Sequence, residues 1–289
     1  DEKFAAEKMP QALDWAAQQL MAARGELVLG PETVVPLLPH QLEQLAPALW
    51  PALQQHFSYP GRAALIGVPL GDFERGYTNS VVALNYGEVY RYDKVHLVPF
   101  GEFIPTGFRW FTDLMNIPLG DFSRGPLAAP SFVVKGERIG PNICYEDLFG
   151  EELAARFRDP DSAPTMLANL SNIGWFGETI AVAQHLNISR LRSLELQRPM
   201  LRATNTGATA VVDHRGVVQA QLPQISQGAG AIGLTKAAKS LTVTQDGASV
   251  KMALTMTEAE LMATVFPHPT LSEMMHEAVL DAYGRALHI

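Results

Sequence analysis

The sequence predicts an α/β fold, a layered sandwich of sheets and helices, on three observations. Short β-rich runs alternate with helical patterns over the first 225 residues, several strand runs are apolar and end at Gly or Pro, and three strand pairs read as hairpins. In order, residues 11–23 (QALDWAAQQLMAA) place Leu13, Ala16, Leu20 and Ala23 at helical spacing. ELVLG (26–30) and RAALIGVPL (62–70) read as buried strands. SVVALNYGEVYRYDK (80–94) reads as a hairpin turning at Asn85-Tyr86-Gly87, and SFVVKGERIGPNICYE (131–146) as another turning at Lys135-Gly136. TMLANLSN (165–172) is a strand. Residues 177–197 form a long amphipathic helix with Ile180, Ala183, Leu186, Leu191 and Leu194 available for burial. GATAVVDHRGVVQAQL (207–222) is a third hairpin, turning at His214-Arg215-Gly216.

Composition narrows the functional classes. The 289 residues are 47 % apolar and 18 % charged, which is globular, and 43 Gly plus Pro are too few for a collagen-like or low-complexity chain. A net charge of −8 argues against a nucleic-acid partner. No apolar run approaches the roughly 18 residues of a membrane span, and no signal segment opens the sequence. One cysteine excludes an internal disulfide framework and a four-cysteine zinc site. A compositional seam lies near residue 226. Trp15, Trp50, Trp110 and Trp175 all precede it, while five of the ten methionines (Met252, Met256, Met262, Met274 and Met275) follow it. ISQGAGAIG (225–233) is the linker candidate, dividing the chain into a 1–225 body and a 226–289 extension.

The single cysteine, Cys144, ends an apolar run and precedes Tyr145-Glu146-Asp147. An arbitrary lone cysteine is more often a small buried hydrophobe. At a strand end, however, orphan N–H groups can favour a thiolate or hold an oxyanion. Glu32 follows the strand ELVLG in Gly-Pro-Glu-Thr, and Lys94 follows the strand YRYDK. An acid and a base at apolar strand ends are costly to bury unless paired or used. The carboxylate can take the thiol proton, and the lysine can steady the thiolate and then a tetrahedral oxyanion. Taken singly, each is as readily a helix-start acid or a solvated lysine.

Four ordered motifs resemble the carbon–nitrogen hydrolase (nitrilase) superfamily: GPET (30–33), YDKVHLVPFGE (92–102), NICYED (142–147) and SNIGWFG (171–177). QHLNISRLRSLELQRPMLRATNTG (184–207) adds the character of its apolipoprotein N-acyltransferase branch. The resemblance spans residues 1–225 and implies a four-layer α-β-β-α sandwich. It implies Glu32 as general base, Lys94 as electrostatic stabiliser and Cys144 as acylated nucleophile. Glu102 would position Lys94 and the acyl carbonyl, Tyr145 and Glu146 would shape the site, and Trp175 would line the acyl or acceptor pocket. The implied reaction is ping-pong: Cys144 takes an acyl chain from a phospholipid, and the N-terminal amine of a lipoprotein's diacylglyceryl-cysteine then attacks the thioester. No metal or organic cofactor is implied, and the implied location is the periplasmic face of the bacterial inner membrane. Simpler roles compete for the outer residues: Trp175 and Phe176 as loop-packing aromatics, and Tyr145 and Glu146 as a helix cap. Arg190, Arg192, Arg198 and Arg202 read as part solvated, part ion-paired. His40, His56, His96 and His185 lack metal-ligand spacing and read as structural or surface residues.

The branch carries membrane helices before this domain, which the sequence lacks, and Asp1 lies just past where the family's first core strand would fall. The expectation is an intact constellation on a scaffold missing one strand. The tail resembles the C-terminal end of dihydrolipoamide dehydrogenase, with His268 and Glu273 matching that family's His–Glu pair. GAGAIG (228–233) matches a dinucleotide fingerprint, but it follows no apolar strand, and one cysteine cannot form the redox pair that flavoenzyme needs. Thr257-x-x-Glu260 and Thr270-x-x-Glu273 are capping boxes, and Leu271, Met274, Met275, Ala278, Val279 and Ala282 form one apolar face, which would serve a homodimer at most. Two readings stand beside the N-acyltransferase: a soluble amidase using the same three residues, and an inactive truncated or chimeric remnant.

Overall fold

A computed structural model describes residues 9–23, 25–87, 89–99, 101–103, 122–173, 179–205 and 207–221, with the backbone of 230–234, 242–246 and 249–254. Trp175, His268, Glu273 and the expected tail helices lie outside the described residues. The chain begins with α1 (Met9–Ala22), β1 (Leu27–Leu29), α2 (Pro39–Leu45) and α3 (Leu49–Phe57). The strands β2 (Ala63–Asp72), β3 (Gly76–Asn85), β4 (Arg91–Asp93), β5 (Phe132–Val134) and β6 (Glu137–Ile143) follow. After a 3₁₀ turn at Cys144–Leu148 come α4 (Gly150–Ala154), β7 (Met166–Ser171), α5 (Ile180–Leu196), β8 (Met200–Thr204), β9 (Ala210–Val212) and β10 (Val218–Gln221). Three further strands are β11 (Gly230–Leu234), β12 (Thr242–Asp246) and β13 (Ser249–Leu254).

The strands form two sheets, ordered β12-β13-β11-β1-β2-β3-β4 and β10-β9-β8-β7-β6-β5. Strand alternation decides which side chain meets which layer. Leu27, Leu29, Leu65 and Val81 of the first sheet face Ile139, Ile143, Met166, Ala168 and Leu170 of the second, forming the central core. Val28, Ala64, Ile66 and Val82 point the other way, onto Leu13 and Leu20 of α1 and Leu53 and Phe57 of α3. On the far side, Leu167, Met200 and Val212 meet Val182 and Leu186 of α5. Three apolar layers thus separate four structural ones, the expected α-β-β-α sandwich.

The three hairpins pair as the turn residues indicate. Lys135 and Gly136 both adopt positive φ (51° and 86°), as a two-residue turn between twisted strands requires. At the third turn, Asp213 Oδ1 accepts hydrogen bonds from Arg215 N–H and Val217 N–H, each at 2.9 Å.

Two features differ from the sequence reading. β1 pairs with β2 on one side and, antiparallel with Val28 opposite Ala231, with β11 on the other. The segment expected as a linker therefore contains a strand. The buried face of α5 also differs. Ile180 is 73 % and Leu191 37 % exposed, whereas His185, Ser189 and Ser193 are buried beside Val182 and Leu186. The helix turns polar residues inward because it covers a charged pair, Asp147 and Arg202, that must be hydrogen-bonded where no water reaches.

Candidate active site

Glu32, Lys94 and Cys144 follow the C-terminal ends of β1, β4 and β6, and hydrogen bonds from Lys94 to Glu32 and from the chain after Lys94 to Glu146 bring those ends together. Glu32 lies in the turn after β1, where Thr33 takes φ 47°. That turn lies against Gly67 of β2. A Cβ there would fall 2.5 Å from Thr33 N and 2.6 Å from both Glu32 Cα and Pro31 O. Backbone cannot yield as a flexible side chain can, so Gly67→Ala is expected to cost about 1–3 kcal/mol. It should also shift Glu32 and slow modification of Cys144. Calorimetry together with the rate of Cys144 alkylation checks both effects.

Lys94 enters from β4, its N–H donating to Asn79 O at 2.8 Å. Its ammonium is fully buried and meets Glu102 Oε1 at 2.9 Å and Glu32 Oε1 at 3.3 Å. Asn79 Nδ2 donates to the same two oxygens, at 2.7 Å to Glu32 and 2.8 Å to Glu102. Asn172 N–H donates to Glu32 Oε2 at 2.7 Å, and Val98 N–H to Glu102 Oε2 at 2.8 Å. Both carboxylates are therefore oriented at each oxygen. One cation between two carboxylates leaves the cluster with an excess negative charge, suited to accepting a proton.

Cys144 stands at φ 54°, a conformation a non-glycine residue holds only when its surroundings impose it. Glu146 supplies part of that constraint. Its Oε2 accepts from Ile143 N–H at 2.6 Å and Tyr92 Oη–H at 2.8 Å; its Oε1 accepts from Val95 N–H at 2.6 Å and His96 N–H at 3.1 Å. One buried carboxylate thus ties the cysteine turn to the chain following Lys94. Tyr145 donates to Leu97 O at 2.6 Å, and its ring centroid lies 5.6 Å from Lys94 Nζ.

Charge and burial set the protonation of the site. Burial pushes the Cys144 thiol up, the Glu32 charge adds to that, and Lys94 offsets only part of it, so the resting cysteine is a thiol. For Lys94, burial opposes the charge, but Glu32 and Glu102 outweigh it and hold the ammonium above its ordinary range. Both groups keep their protons more tightly folded than unfolded. Their contribution to stability is therefore full below about pH 8.5, the ordinary thiol value, and is lost as pH rises from there. Thermal melts from neutral to alkaline pH should show a falling midpoint, and Cys144→Ala should weaken the first part of that fall.

Glu32, Lys94, Glu102, Tyr145 and Glu146 are brought together around Cys144, which lies within electrostatic reach of Glu32, Lys94, Glu102 and Asp147. Sequence reasoning missed Asn79 and Asn169, gave Asp147 no role, and read His185 as structural or surface and Arg202 as part solvated, part ion-paired; both are buried, and Arg202 pairs with Asp147. Asn79 carries no local signal, since its partner Glu32 is 47 residues away. Of the other histidines, His40 and His56 pack edge-on to Phe73 and Phe57, and His96 stacks on Phe149 while pairing with Glu152 at 2.9 Å. Arg190 and Arg198 bond backbone carbonyls of Gly216 and Pro164, and Arg192 pairs with Glu195. Among the described residues, no group of three or more His, Cys, Asp or Glu is placed to hold a metal ion.

A family model described as carbon–nitrogen hydrolase matches residues 3–238. The chain is 56 % identical over 232 residues to an apolipoprotein N-acyltransferase of Verminephrobacter eiseniae, covering 79 % of this chain and 43 % of that relative. It is 49 % identical over 230 residues to another from Ralstonia nicotianae, with the same coverage of 79 % and 43 %. The chain thus spans less than half the length of these curated relatives. Among solved structures, the fold is similar to that of a CN-hydrolase superfamily protein from Xanthomonas campestris that carries an arsenic adduct in its active site. That likeness has a TM-score of 0.59 at 17 % identity and covers 91 % of each chain. A nitrilase-superfamily amidase from Nesterenkonia matches with a TM-score of 0.58 at 15 % identity, over 92 % of this chain and 90 % of the other.

Proposed function

The chain belongs to the carbon–nitrogen hydrolase family, and on that premise we propose that it is the catalytic domain of a lipoprotein N-acyltransferase. The relatives named apolipoprotein N-acyltransferase support the substrate class. The observation that carries the chemistry is a buried Glu32–Lys94–Glu102 cluster beside a cysteine whose thiol is held protonated.

Such a thiol needs a base at the moment of attack. Glu32 takes the Cys144 proton as Sγ bonds to the ester carbonyl carbon of a phospholipid. Lys94, unable to release its own proton, faces the developing oxyanion as a fixed positive charge. The intermediate collapses as the C–O bond breaks, the lysophospholipid oxygen takes the proton from Glu32, and a thioester remains on Cys144. The amine of a diacylglyceryl-cysteine then attacks the thioester, Glu32 takes the amine proton, and the C–S bond breaks. The sulfur recovers the proton and an amide is released. Glu102 holds Lys94 in place, and Tyr145 and Glu146 fix the wall of the site; Trp175, outside the described residues, is assigned to the acyl or acceptor pocket. No metal or organic cofactor enters these steps.

The reading puts the reaction at a membrane surface, on the periplasmic face of the bacterial inner membrane, and the bacterial relatives named apolipoprotein N-acyltransferase support its membrane part. Among the described residues no helix is long and apolar enough to cross a membrane. The test is incubation with phospholipid micelles and a synthetic diacylglyceryl-cysteinyl peptide. The expected product is the peptide acylated at its α-amine. Hydrolysis of small amides with no lipid requirement would instead assign water as the acceptor and an amidase function, and neither product from a folded chain would favour an inactive domain.

A further inference from the structure

A buried polar network on the far side of Cys144 takes no part in the proton transfers above. Asp147, Arg202, His185 and Ser189 come from the cysteine turn, β8 and α5, and all four are buried. Arg202 Nη1 reaches Asp147 Oδ2 at 3.4 Å, and Ser189 Oγ lies between them, donating to Asp147 and accepting from Arg202. Arg202 Nη2 lies 3.2 Å from His185 Nδ1. A guanidinium can only donate, so Nδ1 is the acceptor and the ring proton sits on Nε2. That Nε2–H faces the Cys144 carbonyl oxygen and Asp147 Oδ1, each at 3.2 Å. Asn169 Nδ2 from β7 donates to the same Cys144 oxygen at 2.7 Å.

The carbonyl of a residue in the left-handed region is thus gripped by two side-chain donors from separate elements. Fixing its direction fixes ψ at Cys144, and with φ this sets where the Cα–Cβ bond aims the sulfur. We propose that Arg202, His185 and the Cys144 carbonyl form a positioning relay. Arg202 selects the His185 tautomer, and His185 Nε2–H holds the nucleophile's turn in its strained conformation. The proposal rests on the reading of Cys144 as nucleophile. It also gives a reason for the polar inner face of α5, which apolar packing would have filled as stably.

The test uses the full chain. In His185→Gln a donor remains near the Nε2 position; in His185→Leu none does. With His185→Leu, alkylation of Cys144 by iodoacetamide and kcat for acyl transfer should each fall about 10-fold or more, with KM within about twofold of the parent. His185→Gln should recover most of the rate. Equal rates for His185→Leu and the parent, or equal losses in both variants, would overturn the relay. Nitrogen-15 NMR of the unaltered chain reads the tautomer whether or not the variants fold. A protonated Nε2 with an unprotonated Nδ1 is expected, and a protonated Nδ1 would refute the proposal. A parent chain that alkylates at Cys144 but transfers no acyl group would refute the acyl-transfer reading and leave the relay standing.

Discussion

Glu32→Gln is expected to lower the rate of acyl transfer to Cys144 by about 10³-fold while leaving the chain folded. The substitution keeps the length and planarity of the side chain, so Asn79 Nδ2 retains an oxygen to donate to. Two things are lost. The amide cannot take a proton from a thiol that burial keeps protonated. Nor can its nitrogen accept the Asn172 N–H that meets Glu32 Oε2 at 2.7 Å. The pH dependence should change with it. Without the base, reaction at Cys144 depends on free ionisation of a thiol pushed upward, so the residual rate keeps climbing into the alkaline range beyond about pH 8.5. Single-turnover acylation measured across pH decides this. A variant acylating within tenfold of the parent at neutral pH would remove Glu32 from the role of base.

Lys94→Met is expected to damage both rate and fold. The thioether fills much of the space but leaves Glu32 and Glu102 facing one another, each buried, with no cation between them. Removing one partner from a buried charged cluster costs about 3–5 kcal/mol. For a domain of this size that lowers the melting midpoint by about 10 °C. The loss of a fixed charge facing the oxyanion should slow acylation by about 10²–10³-fold. Melting midpoints and single-turnover acylation of Lys94→Met beside the parent check both effects. A variant that melts with the parent and acylates within tenfold of its rate would remove Lys94 from the charge balance of the cluster and from the role of oxyanion stabiliser.

What the sequence could reveal follows the range of the interactions involved. The hairpins depend on near neighbours in the chain, Val134 pairing with Glu137 and Val212 with Val218, and Lys135-Gly136 and His214-Arg215-Gly216 announce their own turns. Glu32, Lys94 and Cys144 stand at the ends of apolar runs, where a charged or nucleophilic residue is conspicuous. Glu102, Tyr145 and Glu146 carry weaker local signals and were reached through family resemblance. Asn79, Asp147, His185 and Arg202 had no signal of their own, because each gains meaning from partners on other elements, Arg202 lying 55 residues from Asp147. The α5 face shows why spacing misled. A 3.6-residue pattern picks out apolar side chains, but here the buried charge beneath the helix required polar ones. The pairing of β11 with β1 was also hidden, since Gly-Ala-Ile-Gly-Leu joins through its backbone and has little strand character in its side chains.

The most direct test is the mass of the intact chain after brief exposure to phospholipid without an amine acceptor. A nucleophilic Cys144 served by Glu32 and Lys94 should gain one fatty acyl group, labile to hydroxylamine and located in the peptide holding residues 142–147. That gain should be absent in Cys144→Ala and slowed in Glu32→Gln. No adduct on a folded chain in lipid micelles, or an adduct persisting in Cys144→Ala, would contradict it.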